Sequence, residues 1–372
     1  MKNVPRKAAL AAAAPLMALV FAIIASSIVL LLAGSNPLKA YGDMINNASK
    51  LETQIDILNR ATPLFLSGIA AAIGFRMNLF NIGVEGQYLL AALVAAEVGG
   101  VVHLPAPIHV AVIFLVAMSV GAGYAGIAGA LKVTRGISEV ISTIMLNAIA
   151  ISGLIVAGLK AWQAGGAISG NVTRVGTTPI DKSGHIPTLN NLVEIFTRHI
   201  GRDRHLTGVF LVAVAVGIAY HVVVNRSRFG YDLRASGANP FAAQAGGVSP
   251  KRMIMTAMLL SGAVAGLVGM TEVMDAGLFP SNPIQNLGFA GIAVALLGRN
   301  SAIGAAIAAL IFAFLDISSG ILQNTGSASR EIVQIMQALI ILAAVVAYQI
   351  TQRIRDREET KAASAAMPGV TA

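Results

Sequence analysis

Long apolar runs, interrupted by short polar stretches, set the pattern of this chain. The first runs from Ala8 to Ala33, directly after Lys2, Arg6 and Lys7. Others lie near 61–75, 84–102, 108–131, 138–159, 206–224, 253–274, 285–298, 302–322 and 331–350. A bilayer core about 30 Å thick takes roughly 20 apolar helical residues. The pattern therefore predicts an all-α, polytopic membrane protein with about ten transmembrane helices, several of them short or broken. The apolar core of a cleaved signal spans roughly 7–15 residues. The Ala8–Ala33 run is longer and reads as a retained first helix.

Composition narrows the class further. Of the 372 residues, 56% are hydrophobic and only 12% charged, against about 25% charged in a soluble domain. Ordinary soluble enzymes and disordered chains are excluded. The net charge of +9 would suit nucleic acid, but in so apolar a chain Lys and Arg collect in loops at the cytoplasmic face. A nucleic-acid partner is therefore not expected. Ten crossings from a cytoplasmic start place Arg76, Lys132, Arg135, Arg226, Arg228, Arg234, Lys251, Arg252 and Arg299 inside, together with the cluster Arg353–Lys361. Both termini are then cytoplasmic, whereas an odd count would put the last cluster outside. On this reading residues 1–352 form the membrane domain, with an extracytoplasmic loop at 160–205 and an internal loop at 225–252. The Ala/Ser-rich tail 353–372 is expected to be disordered.

The means for covalent catalysis are missing. The chain has 0 cysteines, so no thiol nucleophile and no Cys-ligated metal. No Lys follows a Gly, which removes the Walker A loop, and neither HExxH nor GxSxG occurs. His199 and His205 are spaced as closely as any histidines in the chain, in a polar loop that makes a poor metal site. The protein is read as no enzyme, with no cofactor and no metal.

What stands out instead is polarity inside apolar surroundings, because an unsatisfied polar group in hydrocarbon costs several kcal/mol. The densest case is Arg76-Met77-Asn78-Leu79-Phe80-Asn81-Ile82-Gly83-Val84-Glu85-Gly86-Gln87. It suits a break between half-helices facing a cavity, with a plain cytoplasmic turn as the bland alternative. A second break, Gly298-Arg299-Asn300-Ser301, also separates short apolar runs, the mark of an inverted repeat. Between them, Glu139, Ser142, Thr143 and Asn147 share one helix face, which either lines a pathway or bonds to neighbouring helices. The candidate translocation residues are Asn78, Phe80, Asn81, Glu85, Gln87, Ser142 and Asn147. Gly121, Ala125 and Gly129, with Gly262 and Gly266, are expected to let helices pack closely.

The internal loop carries the most specific local grammar. Asn239-Pro240 is an N-cap with Pro at the first helical position, and Gly246-Gly247 ends the helix soon after. A short helix pinned at both ends suits docking better than mere connection, and Ser249-Pro250 opens the next span in the same way. Its candidate docking residues are Asn239, Pro240, Phe241, Ala242, Gln244 and Gly246.

Four stretches, FRMNLFNIGVEGQ, EVISTIMLN, ASGANPFAAQAGGVSPKR and GFAGIAVALLGRNSAIG, resemble the permease subunits of bacterial ATP-binding-cassette importers. The group is that of branched-chain amino acid and simple-sugar importers, with nucleoside permeases the nearest match, and the resemblance spans roughly 60–350. It implies a multi-pass subunit of the bacterial inner membrane that moves a nucleoside or similar small polar solute by alternating access. It also implies a second permease, often non-identical, two cytoplasmic ATP-binding subunits and an extracytoplasmic substrate-binding protein. Residues 239–247 match the family's coupling helix, and FNIGVEGQ its Gly-rich break near the path. A simple sugar or a branched-chain amino acid is the alternative cargo. The rival from another class is an ion-coupled secondary transporter, for which Glu85, Glu139 and Glu272 are the candidate titrating carboxylates.

Overall fold

The computed structural model describes residues 20–21, 23–169, 172–190, 194, 204–326, 329, 331–339 and 342. The start of the first apolar run, His199, the end of the 331–350 run and the tail 353–372 lie outside the described residues. The chain divides into two units, Met1–Ser49 with Leu315–Ala372, and Lys50–Phe314.

In the first unit, α1 (Ile23–Leu32) and α2 (Pro37–Ala48) meet at a bend of 116°. The bend follows from local chemistry. Gly34 stands at φ +75°, Asn36 caps α2 by accepting from the amides of Leu38 and Lys39, and Pro37 takes the first helical position. Tyr41 then ties α2 back, its hydroxyl 3.2 Å from the Ile23 carbonyl.

The second unit is a helical bundle. It contains α3 (Leu51–Arg76), α4 (Val84–Val101), α5 (Ala106–Arg135) and α6, which runs from Glu139 to Trp162 through a π-helical turn at Ala150–Leu154. There follow α7 (Val209–Arg226), α8 (Arg228–Ala238), α9 (Pro240–Ala245), α10 (Pro250–Gly266), α11 (Met270–Ala276), α12 (Leu287–Leu297) and the start of α13 (Ala302–Asn324). Glycine governs the tightest crossing, between α5 and α10. A Cβ on Gly121 would come 2.9 Å from Gly266 Cα, and one on Gly266 would come 2.7 Å from the Ala117 carbonyl carbon. The two backbones touch, as the small-residue pattern predicts.

Seven spans among the described residues are long and apolar enough to cross a membrane, or up to 8 if the bent α1–α2 pair is one span. The count of about ten is therefore approximate. The run at 285–298 forms α12, whose 11 residues reach only about 16 Å at 1.5 Å per residue. The 160–205 region holds a small hairpin of β1 (Ala164–Ser169) and β2 (Val172–Gly176), antiparallel. Beyond β2 the strand direction continues against the segment after α11: Thr177 N donates to Phe279 O at 3.1 Å, and Phe279 N to Thr177 Oγ1 at 3.0 Å.

Candidate functional site

The first break is built by helix termination. Asn78, at φ +57°, ends α3 in a Schellman motif: Leu79 N reaches Gly74 O and Asn78 N reaches Phe75 O. The second break repeats the arrangement after α12. Arg299 takes the left-handed position at φ +53°, with Arg299 N on Leu296 O and Asn300 N on Ala295 O. Two segments with little sequence likeness thus end in the same way.

Between α3 and α4 the polar residues turn inward. Asn81 and Gln87, 2% and 1% exposed, exchange both of their amide bonds at 2.8 and 2.9 Å. Asn81 Nδ2 also donates to Ser261 Oγ on α10 at 2.9 Å, and Ser261 donates to Ala70 O on α3 at 2.6 Å. Asn81 Oδ1 accepts from Gly83 N as well, which fills the side chain's bonding capacity.

Glu85, in the first turn of α4, clasps the N-terminus of α12. Its Oε1 accepts from Asn286 N at 2.5 Å and its Oε2 from Gly288 N at 2.7 Å. The Tyr88 hydroxyl lies 3.0 Å from Oε1 and 2.8 Å from the Ile284 carbonyl. A carboxylate so placed meets the first amides of α12 and the positive end of its dipole. Gly288 has no side chain in a place where a Cβ would sit 2.6 Å from Glu85 N.

The polar face of α6 also points into the protein, with Ile141, Ile144 and Met145 exposed on the other side. Asn147 bridges to α4, accepting from Gly86 N and donating to Ile82 O, each at 2.8 Å. Ser142 and Thr143 bond to carbonyls of their own chain one turn earlier. Glu139 pairs with Lys132 and accepts from Phe80 N at 3.4 Å. Of the expected pathway residues, then, Asn81, Glu85, Gln87, Ser142 and Asn147 are buried, while Asn78 and Phe80 face outward, Phe80 being 46% exposed. Asn81, Glu85, Gln87 and Asn147 brace the first break against α6, α10 and α12, while Ser142 bonds only within its own helix.

The short helix expected at 239–247 is α9, and it is capped at both ends. Asn239 Oδ1 accepts from Phe241 N and Ala242 N at 3.0 and 3.1 Å. At the other end Gly247, at φ +84°, lets Val248 N close on Ala243 O. Phe241 is 85% exposed, so its ring does not fold back onto the bundle. Pro240, Ala242, Gln244 and Gly246 are exposed with it, and Ala243 alone is buried. Ser249 stands at the N-cap of α10 but makes no side-chain cap bond. Beside α9 opens a groove of about 540 Å³ whose walls include Arg228, Tyr231, Asp232 and Arg252. Substituting Asn239 by Ala removes the two cap bonds and is expected to cost α9 about 1 kcal/mol. Faster amide hydrogen exchange confined to 240–246 would register it.

The sequence reading places Arg76 at the first break without a partner, misses Ser261 and Tyr88, which with it join segments far apart in the chain, and misses α8 altogether. Ser261 sits in Leu259-Leu260-Ser261-Gly262, a polar residue in an apolar run, and that is the only signal it leaves.

The profile described as "Branched-chain amino acid transport system / permease component" matches residues 54–345. Among curated proteins, the chain is 32% identical to the guanosine ABC transporter permease protein NupP of Bacillus subtilis, covering 90% of this chain and 93% of that one. It is 29% identical to the nucleoside ABC transporter permease protein NupB of Lactococcus lactis, over 94% and 95% of the two chains. The glucose ABC transporter permease protein TsgB13 of Haloferax volcanii is 32% identical, over 90% and 87%. No solved structure matches.

Proposed function

The chain belongs to the branched-chain amino acid transport system permease family, and on that premise we propose that it imports a nucleoside, driven by ATP that partner subunits hydrolyse. It is a multi-pass membrane permease of the ATP-binding-cassette type. The observation that carries the coupled reading is α9: a helix capped at both ends whose one aromatic ring stands in solvent, as a docking element requires. One of two cytoplasmic ATPase subunits seats there, on a surface that includes Arg228 and Arg252. A second, non-identical permease completes the pathway, and an extracytoplasmic binding protein delivers the solute. Both termini and the 225–252 loop lie in the cytoplasm, and the membrane is the bacterial inner membrane.

The carboxylates weigh against ion coupling. Glu85 is occupied by α12, Glu139 by Lys132, and Glu272 accepts from Ile284 N at 3.0 and 3.2 Å. Each serves as a structural clasp. The pathway itself runs past the exposed Asn78 and Phe80, with the buried polar residues fixing the break behind them.

The guanosine and nucleoside relatives support a nucleoside cargo, and the glucose relative supports a sugar as the second reading. Uptake of labelled guanosine, uridine and glucose by proteoliposomes holding the whole complex separates them. ATP-dependent accumulation of nucleosides but not glucose is expected. Accumulation of glucose alone, or uptake without ATP, would refute the proposal.

A further inference from the structure

The end of α3, the helix α7 and the segment that follows α12 meet at one point. Arg76, the last residue of α3, sends Nε and Nη2 to the Asn300 carbonyl, at 3.2 and 2.8 Å. The Tyr220 hydroxyl, on α7, donates to the same oxygen at 2.6 Å. One carbonyl thus gathers three donors, while Asn300 Oδ1 is buried and receives none. Arg299 and Asn300 stand in succession at φ +53° and +52°, a conformation that residues other than Gly visit singly. The second break is a strained loop held from outside by Arg76 and Tyr220. Its unused amide acceptor leaves a second arrangement open to it.

The α8–α9 module touches the same arginine from the other side. A Cβ on Gly237 would lie 2.7 Å from Arg76 O and 2.9 Å from Met77 Cα, so α8 rests on the end of α3 with no gap between. Leu233, one turn earlier, is buried in a cluster with Met77, Leu79 and Met258. Two residues after Gly237, Asn239 caps the helix that carries Phe241. Packed interiors transmit displacement rather than absorb it. A shift of α9 therefore arrives at the Arg76 backbone, and the Arg76 side chain holds Asn300.

We infer that Arg76 is a positioning residue, linking the ATPase-docking module to the second break by holding Asn300 in one transport state and releasing it when α8 moves. The inference rests on α9 being the docking helix. A two-state element biased from a distant site is the physical content of such coupling.

The test uses the complete importer in proteoliposomes, scoring solute moved per ATP hydrolysed, ATPase subunit retention and the thermal unfolding midpoint. Arg76→Lys keeps the charge but not the two-pronged donor, and losing a charge-assisted bond is expected to cut solute per ATP about tenfold. Tyr220→Phe removes one hydroxyl and is expected to cut it roughly threefold. In both, the ATPase subunits stay bound and the unfolding midpoint stays close to that of the parent. Gly237→Ala, which pushes on Arg76 without touching Asn300, is expected to uncouple in the same sense. Parental coupling in both Arg76→Lys and Tyr220→Phe overturns the inference, as does a change confined to the unfolding midpoint. Should Arg76→Lys not fold, Tyr220→Phe decides alone. A parent chain that binds no ATPase instead brings down the importer reading, and the inference with it.

Discussion

Phe241→Ala is expected to weaken ATPase association by about 30-fold, since a buried aromatic anchor is worth about 2 kcal/mol or more at an interface. The permease itself stays folded. The ring is 85% exposed in the isolated chain, so removing it opens no cavity in the bundle. The cap bonds of α9 come from Asn239 and the Phe241 backbone amide, and they survive the substitution. Pull-down of the ATPase subunits on the purified permease measures the first quantity, and thermal unfolding in detergent the second. Unchanged association with unchanged transport would sink the docking role and move it to Arg228 and Arg252 in the groove beside α9.

The second large effect is in folding. Glu85→Ala leaves the amides of Asn286 and Gly288 facing the space of a missing carboxylate, and takes a partner from Tyr88. Buried donors left unpaired cost about 1–3 kcal/mol each, a large part of a typical stability of about 5–15 kcal/mol. The variant is expected to unfold well below the parent in detergent and to accumulate poorly in the membrane. Glu272→Ala, which frees the Ile284 amide, serves as the milder comparison. A Glu85→Ala permease that unfolds like the parent yet does not transport would make Glu85 a group of the pathway instead of a clasp.

Much of the site is legible along the chain because it is local. Asn239-Pro240 and Gly246-Gly247 specify α9 through bonds that span two to five residues, and no distant partner is needed. Polar residues in apolar runs are equally readable, since hydrocarbon admits them only with partners. That argument marks Asn81, Glu85, Gln87 and Asn147 without saying who the partners are. It leaves pathway lining and helix bracing equally open, and the choice turns on which way each helix is rotated. The 285–298 run shows the opposite failure. Hydropathy marks it as a span, but α12 has only 11 residues, and its start is held by Glu85 from another helix.

By itself, the sequence determined that this is a helical, multi-pass membrane protein, where its two breaks fall, and that a short capped helix lies in the loop between α7 and α10. Those outcomes follow from solvent transfer and short-range backbone bonding, which any window of residues already contains. Only the tertiary structure decided that the polar face of α6 turns inward, that Glu85 serves α12, and that Arg76 reaches Asn300 across 224 positions of sequence. Contacts of that kind depend on helix rotation and crossing, set by the packing of the whole bundle at positions such as Gly121 and Gly266. No local pattern encodes them.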